Sequence, residues 1–180
     1  NYGIVNALAY TLYGGSILKI ETVLYNGKDN ITITGSLGKV MLESVKVALS
    51  YLKNNLDFYK INEKSLKNKD IHLHVLEGAV KKEGPSAGVA ITTAILSLLL
   101  KEKVADSIAF TGEISLQGEI LKVGGIKEKI IGAYNDGVTR IYLPSQNKND
   151  LDEIPEDIKA KIEFILVNNY QEIYHSLFKK

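Results

Sequence analysis

The sequence predicts an α+β (mixed α/β) domain with mixed sheets packed against helices, spanning residues 1–180 as one unit. Strand-type and helix-type periodicities alternate through most of the chain. Glycine-containing breaks separate the segments. One hairpin pattern near the start and another in the middle place antiparallel pairs among the alternating elements.

Taken in order, 1–13 mixes small and β-prone residues and ends at Gly14-Gly15, a turn signal. Residues 16–25 have strand composition, with Leu18, Ile20 and Thr22 on one face. Asn26-Gly27 marks a turn before Ile31-Thr32-Ile33-Thr34, so 16–34 reads as a hairpin. Met41, Val45, Ala48, Leu49 and Leu52 recur at helical spacing and predict a helix over 39–54. Residues 54–70 are rich in Asn and Lys and read as a surface connection, with a helical turn at 56–59. Residues 71–76 alternate, with Ile71, Leu73 and Val75 on one face and His72 and His74 on the other.

A glycine-containing loop then leads to Ser86 and an apolar helix ending near Leu100. Two strands are expected at 108–115 and 118–123, joined at Gln117-Gly118. Ile126, Ile130, Ala133 and Tyr134 predict a helix over 126–135 that stops at Asp136-Gly137. Residues 140–143 read as a strand and 144–149 as a loop. An acidic, then helical stretch over 151–161 is interrupted by Pro155. A strand at 162–167 and an amphipathic helix at 170–178 complete the pattern.

With 22 basic and 21 acidic residues the net charge is +1, which points to neither a nucleic-acid nor a membrane partner. There is no cysteine, so disulfides and thiolate metal sites are excluded, and the composition suits a reducing compartment. The longest apolar run, 89–100, falls short of the ~20 residues that cross a bilayer. The chain opens at Asn1 and not at Met, so a fragment of something longer is expected.

Ser86, flanked by Pro85 and Ala87 with Gly84 and Gly88 outside them, is the first candidate for chemistry. A serine at a helix start either caps the helix or acts as a nucleophile facing free N–H groups and the positive end of the helix dipole. As a nucleophile it needs a base. The frame Gly84-Pro85-Ser86-Ala87-Gly88 fits the G-x-S-x-G elbow of α/β-hydrolases, but nine residues separate Leu76 from Ser86 where an elbow has almost none. The one later histidine, His175, sits in the terminal helix. His72 and His74 share a strand face as metal ligands do, but no third ligand is evident, and partly buried histidines satisfied by hydrogen bonds, or polar groups lining a cleft, are the better reading; no metal site is expected. A lysine base is offered by Gly124-Gly125-Ile126-Lys127-Glu128-Lys129, where the helix N-terminus disfavours an ammonium. The helical wheel does not choose between Lys127 and Lys129. Thr111, in the strand before Gly112-Glu113, offers a hydroxyl that can hold a neighbouring amine.

Several stretches, in the same order and spacing, resemble the proteolytic domain of the Lon family of ATP-dependent proteases. They are His72-Leu73-His74-Val75, Glu77-Gly78-Ala79, Lys82-Glu83-Gly84-Pro85-Ser86-Ala87-Gly88, Phe110-Thr111-Gly112-Glu113-Ile114-Ser115-Leu116 and Val123-Gly124-Gly125-Ile126-Lys127-Glu128-Lys129. Leu143-Pro144, Asn147-Lys148-Asn149-Asp150-Leu151 and Glu153-Ile154-Pro155 extend the likeness. The resemblance implies Ser86 as nucleophile, Lys129 as its base and Thr111 as the residue that orients the lysine, with Glu83 and Gly84 in a supporting loop. Two departures fall in that region: Lys81-Lys82-Glu83-Gly84 replaces the usual Pro-Lys-Asp-Gly, and Leu76 stands where a proline is usual.

The resemblance implies a serine endopeptidase using a Ser-Lys dyad on unfolded or damaged proteins delivered by an ATP-driven unfoldase. The alternatives are a catalytically silent assembly or binding domain of the same family, and a Ser-His-acid esterase. The family also implies a homo-hexamer in the cytoplasm (alternatively the mitochondrial matrix), and ATP and magnesium for an ATPase module. No G-x-x-x-x-G-K-[ST] phosphate loop occurs in these 180 residues, so that module is expected outside them, with this chain as the C-terminal fragment and no cofactor of its own.

Overall fold

The computed structural model describes residues 1–11, 14–35, 38–76 and 86–178. In chain order it runs β1 (Ile4–Thr11), β2 (Gly14–Asn26), β3 (Ile31–Thr34), α1 (Gly38–Lys53), α2 (Leu56–Tyr59), β4 (Lys69–Val75) and α3 (Gly88–Leu100). Then come β5 (Ile108–Phe110), β6 (Glu113–Ile114), β7 (Ile120–Leu121), α4 (Ile126–Asn135), β8 (Arg140–Pro144), α5 (Glu156–Lys159), β9 (Glu163–Val167) and α6 (Tyr170–Leu177). Short 3-10 segments occupy Glu63–Ser65 and Ser145–Glu153; the second replaces the loop expected after Pro144.

Seven strands form one mixed sheet in the order β3-β4-β2-β1-β5-β8-β9. The β1–β2 and β2–β4 pairs are antiparallel, while β3–β4, β1–β5, β5–β8 and β8–β9 are parallel. The α+β class is therefore correct, but three local expectations are not. Residues 16–34 are not a hairpin, because β4 lies between β2 and β3 and pairs with both. The turn after β2 is fastened to β4: Gly27 N–H donates to Asn68 C=O, and the Asp70 carboxylate accepts from the N–H groups of Lys28 and Asn30. Gly14 and Gly15 belong to β2 and pair with Thr11 and Tyr10. The strand expected over 108–115 breaks at Thr111-Gly112, where Gly112 has φ 139°, a conformation that favours glycine. Its second half, β6, pairs with β7 in a separate two-stranded ribbon.

Apolar residues cover both faces of the central strands. On one side Leu18, Ile20, Leu73 and Phe110 meet Met41 and Leu52 of α1 and Ile91 and Ile95 of α3. On the other, Leu8, Ala109, Ile141 and Leu143 meet Ile126, Ile130 and Ala133 of α4. Each of the Leu, Ile, Met and Phe side chains contributes about 1.5–3 kcal/mol on burial. The helix α3 is buried from Gly88 to Ser97 and carries no charged side chain, as a helix surrounded by protein requires. Two of its hydroxyls are satisfied within the helix: Thr92 and Thr93 donate to the carbonyls of Gly88 and Val89, four residues back.

The start of β2 meets α4 backbone to backbone. A Cβ added at Gly132 would lie 2.3 Å from the Gly15 carbonyl, and one added at Gly15 would lie 1.9 Å from the Glu128 carbonyl. Alanine normally favours a helix interior over glycine by about 1 kcal/mol. Here the contact reverses the sign, so Gly132→Ala is expected to destabilise the fold by about 1–3 kcal/mol in chemical denaturation. A stabilised Gly132→Ala protein would contradict this packing.

Candidate functional site

Ser86 sits half-buried just ahead of α3, and the residue in the N-cap position is Ala87, which makes no side-chain cap. Ser86 is therefore not the cap of its helix. The first turn is capped from a distance by Glu113 of β6, whose carboxylate accepts from the Ala87 N–H at 3.0 Å and from the Gly88 N–H. The close approach explains the glycine at 88, since a Cβ there would lie 2.9 Å from Glu113 Oε2.

Two further hydrogen bonds join the same segments. Gly112 N–H donates to Ser86 C=O at 3.1 Å, and Val89 N–H donates to Gly112 C=O at 3.0 Å. The break at Gly112 thus lays residues 111–113 against the residues that carry Ser86. Thr111 is anchored to β8 through its N–H, which donates to Tyr142 C=O. Its side chain is buried, and Oγ1 has no hydrogen-bond partner among the described residues.

The structure separates the two lysines that the wheel does not. Lys127 is exposed, whereas Lys129 is 5% exposed, beside Ile126, Ile130 and Ala133 on the inner face of α4. Both lysines flank the apolar stripe in sequence, but β2 covers only one flank: Gly15 lies over the Glu128 carbonyl and the Lys129 Cα. The Lys129 charge is felt at Glu113. Burial pushes the Glu113 carboxyl above its ordinary value of 4.5, opposed by the Gly88 and Ala87 N–H groups, the Ser44 hydroxyl and Lys129. Ser44 Oγ, on α1, donates to Glu113 Oε2 at 3.4 Å. The residues 111–113 that include Thr111 are in this way joined to the Ser86 segment, and Lys129 is buried on α4. Glu83 and Gly84, expected to support them, lie outside the described residues.

The whole chain, residues 1–180, matches the family model of the Lon protease (S16) C-terminal proteolytic domain. The chain belongs to the Lon protease family. It is 45% identical over 177 residues to the Lon protease of Mycoplasma mycoides subsp. mycoides, covering 98% of this chain and 22% of that protein. The Lon protease of Clostridioides difficile is 45% identical over 178 residues, covering 99% and 23%. The Lon protease of Wolbachia pipientis is 48% identical over 171 residues, covering 95% and 21%. The chain thus spans about a fifth of the length of these Lon relatives.

The first two histidines share a hydroxyl partner on the neighbouring strand. The Thr34 hydroxyl bridges His72 Nε2 and His74 Nδ1 at 2.8 and 2.7 Å. Both histidines line a cleft of about 560 Å³ with Glu21, Val23, Tyr2 and Leu98, as polar groups of a sheet face. No group of three metal-ligating side chains occurs among the described residues. His175 is exposed on α6 and packs edge-on against Phe58 and Tyr174. No described helix is long and apolar enough to cross a membrane.

Two residues of the site were not singled out from the sequence, Ser44 and Glu113. A carboxylate placed two residues after Thr111 in an otherwise apolar stretch is the signal for Glu113; nothing in the local pattern marks Ser44. A buried hydroxyl without a partner costs about 1–3 kcal/mol, so Thr111→Val is expected to hold or raise stability. A loss of more than about 1 kcal/mol in thermal or denaturant unfolding would show that Oγ1 is bonded after all.

Proposed function

We propose that this chain hydrolyses peptide bonds with Ser86 as the nucleophile and Lys129 as its general base. The observation that carries this reading is the burial of Lys129, and not Lys127, at the start of α4. A buried amine is disfavoured as an ammonium, and a neutral amine is what a serine hydroxyl needs to lose its proton. The competing triad needs a histidine at Ser86, and His175 packs instead against Phe58 and Tyr174.

Neutral Lys129 takes the Ser86 proton as Oγ attacks the carbonyl carbon of an extended peptide. The tetrahedral oxyanion is held by backbone N–H groups at the start of α3. Those of Ala87 and Gly88 are engaged by Glu113, so the Ser86 N–H is the donor of that turn assigned to the oxyanion. The Lys129 ammonium returns the proton to the leaving amine, and water, deprotonated by the same lysine, hydrolyses the acyl-enzyme. Thr111 Oγ1 is assigned to hold the amine during these transfers, a use that fits its otherwise unpartnered burial.

The substrates proposed are unfolded or damaged proteins, threaded in by an ATP-driven module and cleaved in a cytoplasmic homo-hexamer. ATP and magnesium have no phosphate loop to bind in these 180 residues and are assigned to that module in a longer chain. Cleavage of casein or a fluorogenic peptide by the intact protein tests the dyad. Ser86→Ala and Lys129→Ala are each expected to lose at least about a thousandfold in kcat, while Lys127→Ala keeps activity. Cleavage surviving in Lys129→Ala overturns the assignment.

A further inference from the structure

We propose that Glu113, with Ser44 behind it, positions the nucleophile: the pair fixes the turn that carries Ser86 and so sets the rate at which its hydroxyl attacks. This rests on Ser86 as the nucleophile. Ser86 and the three residues after it are each tied to Gly112 or Glu113. Gly112 N–H donates to Ser86 C=O at 3.1 Å, and Val89 N–H donates to Gly112 C=O at 3.0 Å. Between them, Ala87 N–H donates to Glu113 Oε1 at 3.0 Å, and Gly88 N–H donates to the same carboxylate. Two of these ties join backbone to backbone, so Glu113 supplies the side-chain part of the clamp. Bonds of this kind, from helix-end N–H groups to an ionised carboxylate, are about twice as strong as neutral ones.

The clamp is itself anchored. Ser44, 7% exposed on α1, donates to Glu113 Oε2 at 3.4 Å. Two residues before Glu113, Thr111 N–H donates to Tyr142 C=O of β8 at 3.1 Å. Beyond it, the β6–β7 ribbon is fastened at the start of α6, where Tyr170 N–H donates to Gly118 C=O and Ile120 N–H to Asn168 C=O, both at 2.9 Å. The carboxylate thus holds the turn against three separate parts of the fold. Ser86 makes no cap of its own, so the placing of its hydroxyl depends on this hold. A misplacement of about 1 Å in a reacting group costs on the order of a hundredfold in rate, whereas peptide binding draws on a wider surface.

The test uses the intact protein, a fluorogenic peptide, and an uncharged fluorophosphonate that labels the nucleophilic serine without peptide binding. Glu113→Gln is expected to lower kcat by about ten- to a hundredfold with KM within about twofold of the parent. The labelling rate constant falls in parallel, while the fraction of protein finally labelled stays that of the parent. Ser44→Ala, a milder change, shows the same split at about two- to tenfold. Hydrogen–deuterium exchange reads the clamp without cleavage: the amides of residues 86–89 exchange faster in Glu113→Gln, and the rest of α3 keeps its protection. Unmoved exchange at residues 86–89 overturns the proposal. So does a smaller labelled fraction at an unchanged rate constant, the sign of a merely structural defect. Cleavage surviving in Ser86→Ala is a different result, which sinks the nucleophile and not the clamp that exchange reports.

Discussion

A helix buried along most of its length must have its first N–H groups satisfied from inside the protein, and much of this fold arises from that demand. α3 has no charged residue and no water-facing side over Gly88–Ser97, so solvent does not complete its first turn. The acceptors come from elsewhere in the chain: the Gly112 carbonyl for Val89 and the Glu113 carboxylate for Ala87 and Gly88. To bring them there the chain leaves the main sheet after β5, turns at Gly112 and starts the β6–β7 ribbon. The glycine at 88 and the break at 111–112 are two sides of the same close approach.

That demand also sets a carboxylate against the residues that follow Ser86. Capping a buried helix with a carboxylate places a negative group in an apolar setting, where it raises its own proton affinity and seeks a cation. Lys129, on the flank of α4 that β2 covers, is buried as well.

Much of this was legible in the sequence, for identifiable reasons. The stripes on α1, α4 and α6 and the alternation of β2 and β4 are local patterns, and local patterns predict local elements. The hairpin at 16–34 failed because strand neighbours are a global property: β4, distant in sequence, pairs better with both β2 and β3 than they do with each other. The strand at 108–115 failed because nothing in its composition shows that Gly112 must redirect it toward α3. The same division holds at the site. Ser86, Lys129 and Thr111 came from motifs in order, while the wheel left Lys127 and Lys129 level. What separates the lysines is a backbone contact from Gly15, and what ties the site together is Glu113; both act across long sequence separations.

The two halves of the site are held by different kinds of force. The helix α4 is set against β2 by glycine backbones in close contact, which involves no titratable group. The turn that carries Ser86 is set partly by an acid that can gain a proton, at the end of a ribbon only two residues long in each strand. The helix that carries the proposed base is thus on fixed ground, and the proposed nucleophile rests on a support whose strength varies with its surroundings. Any adjustment of this catalytic corner to its environment has its natural entry on the serine side, leaving the lysine where the glycines put it.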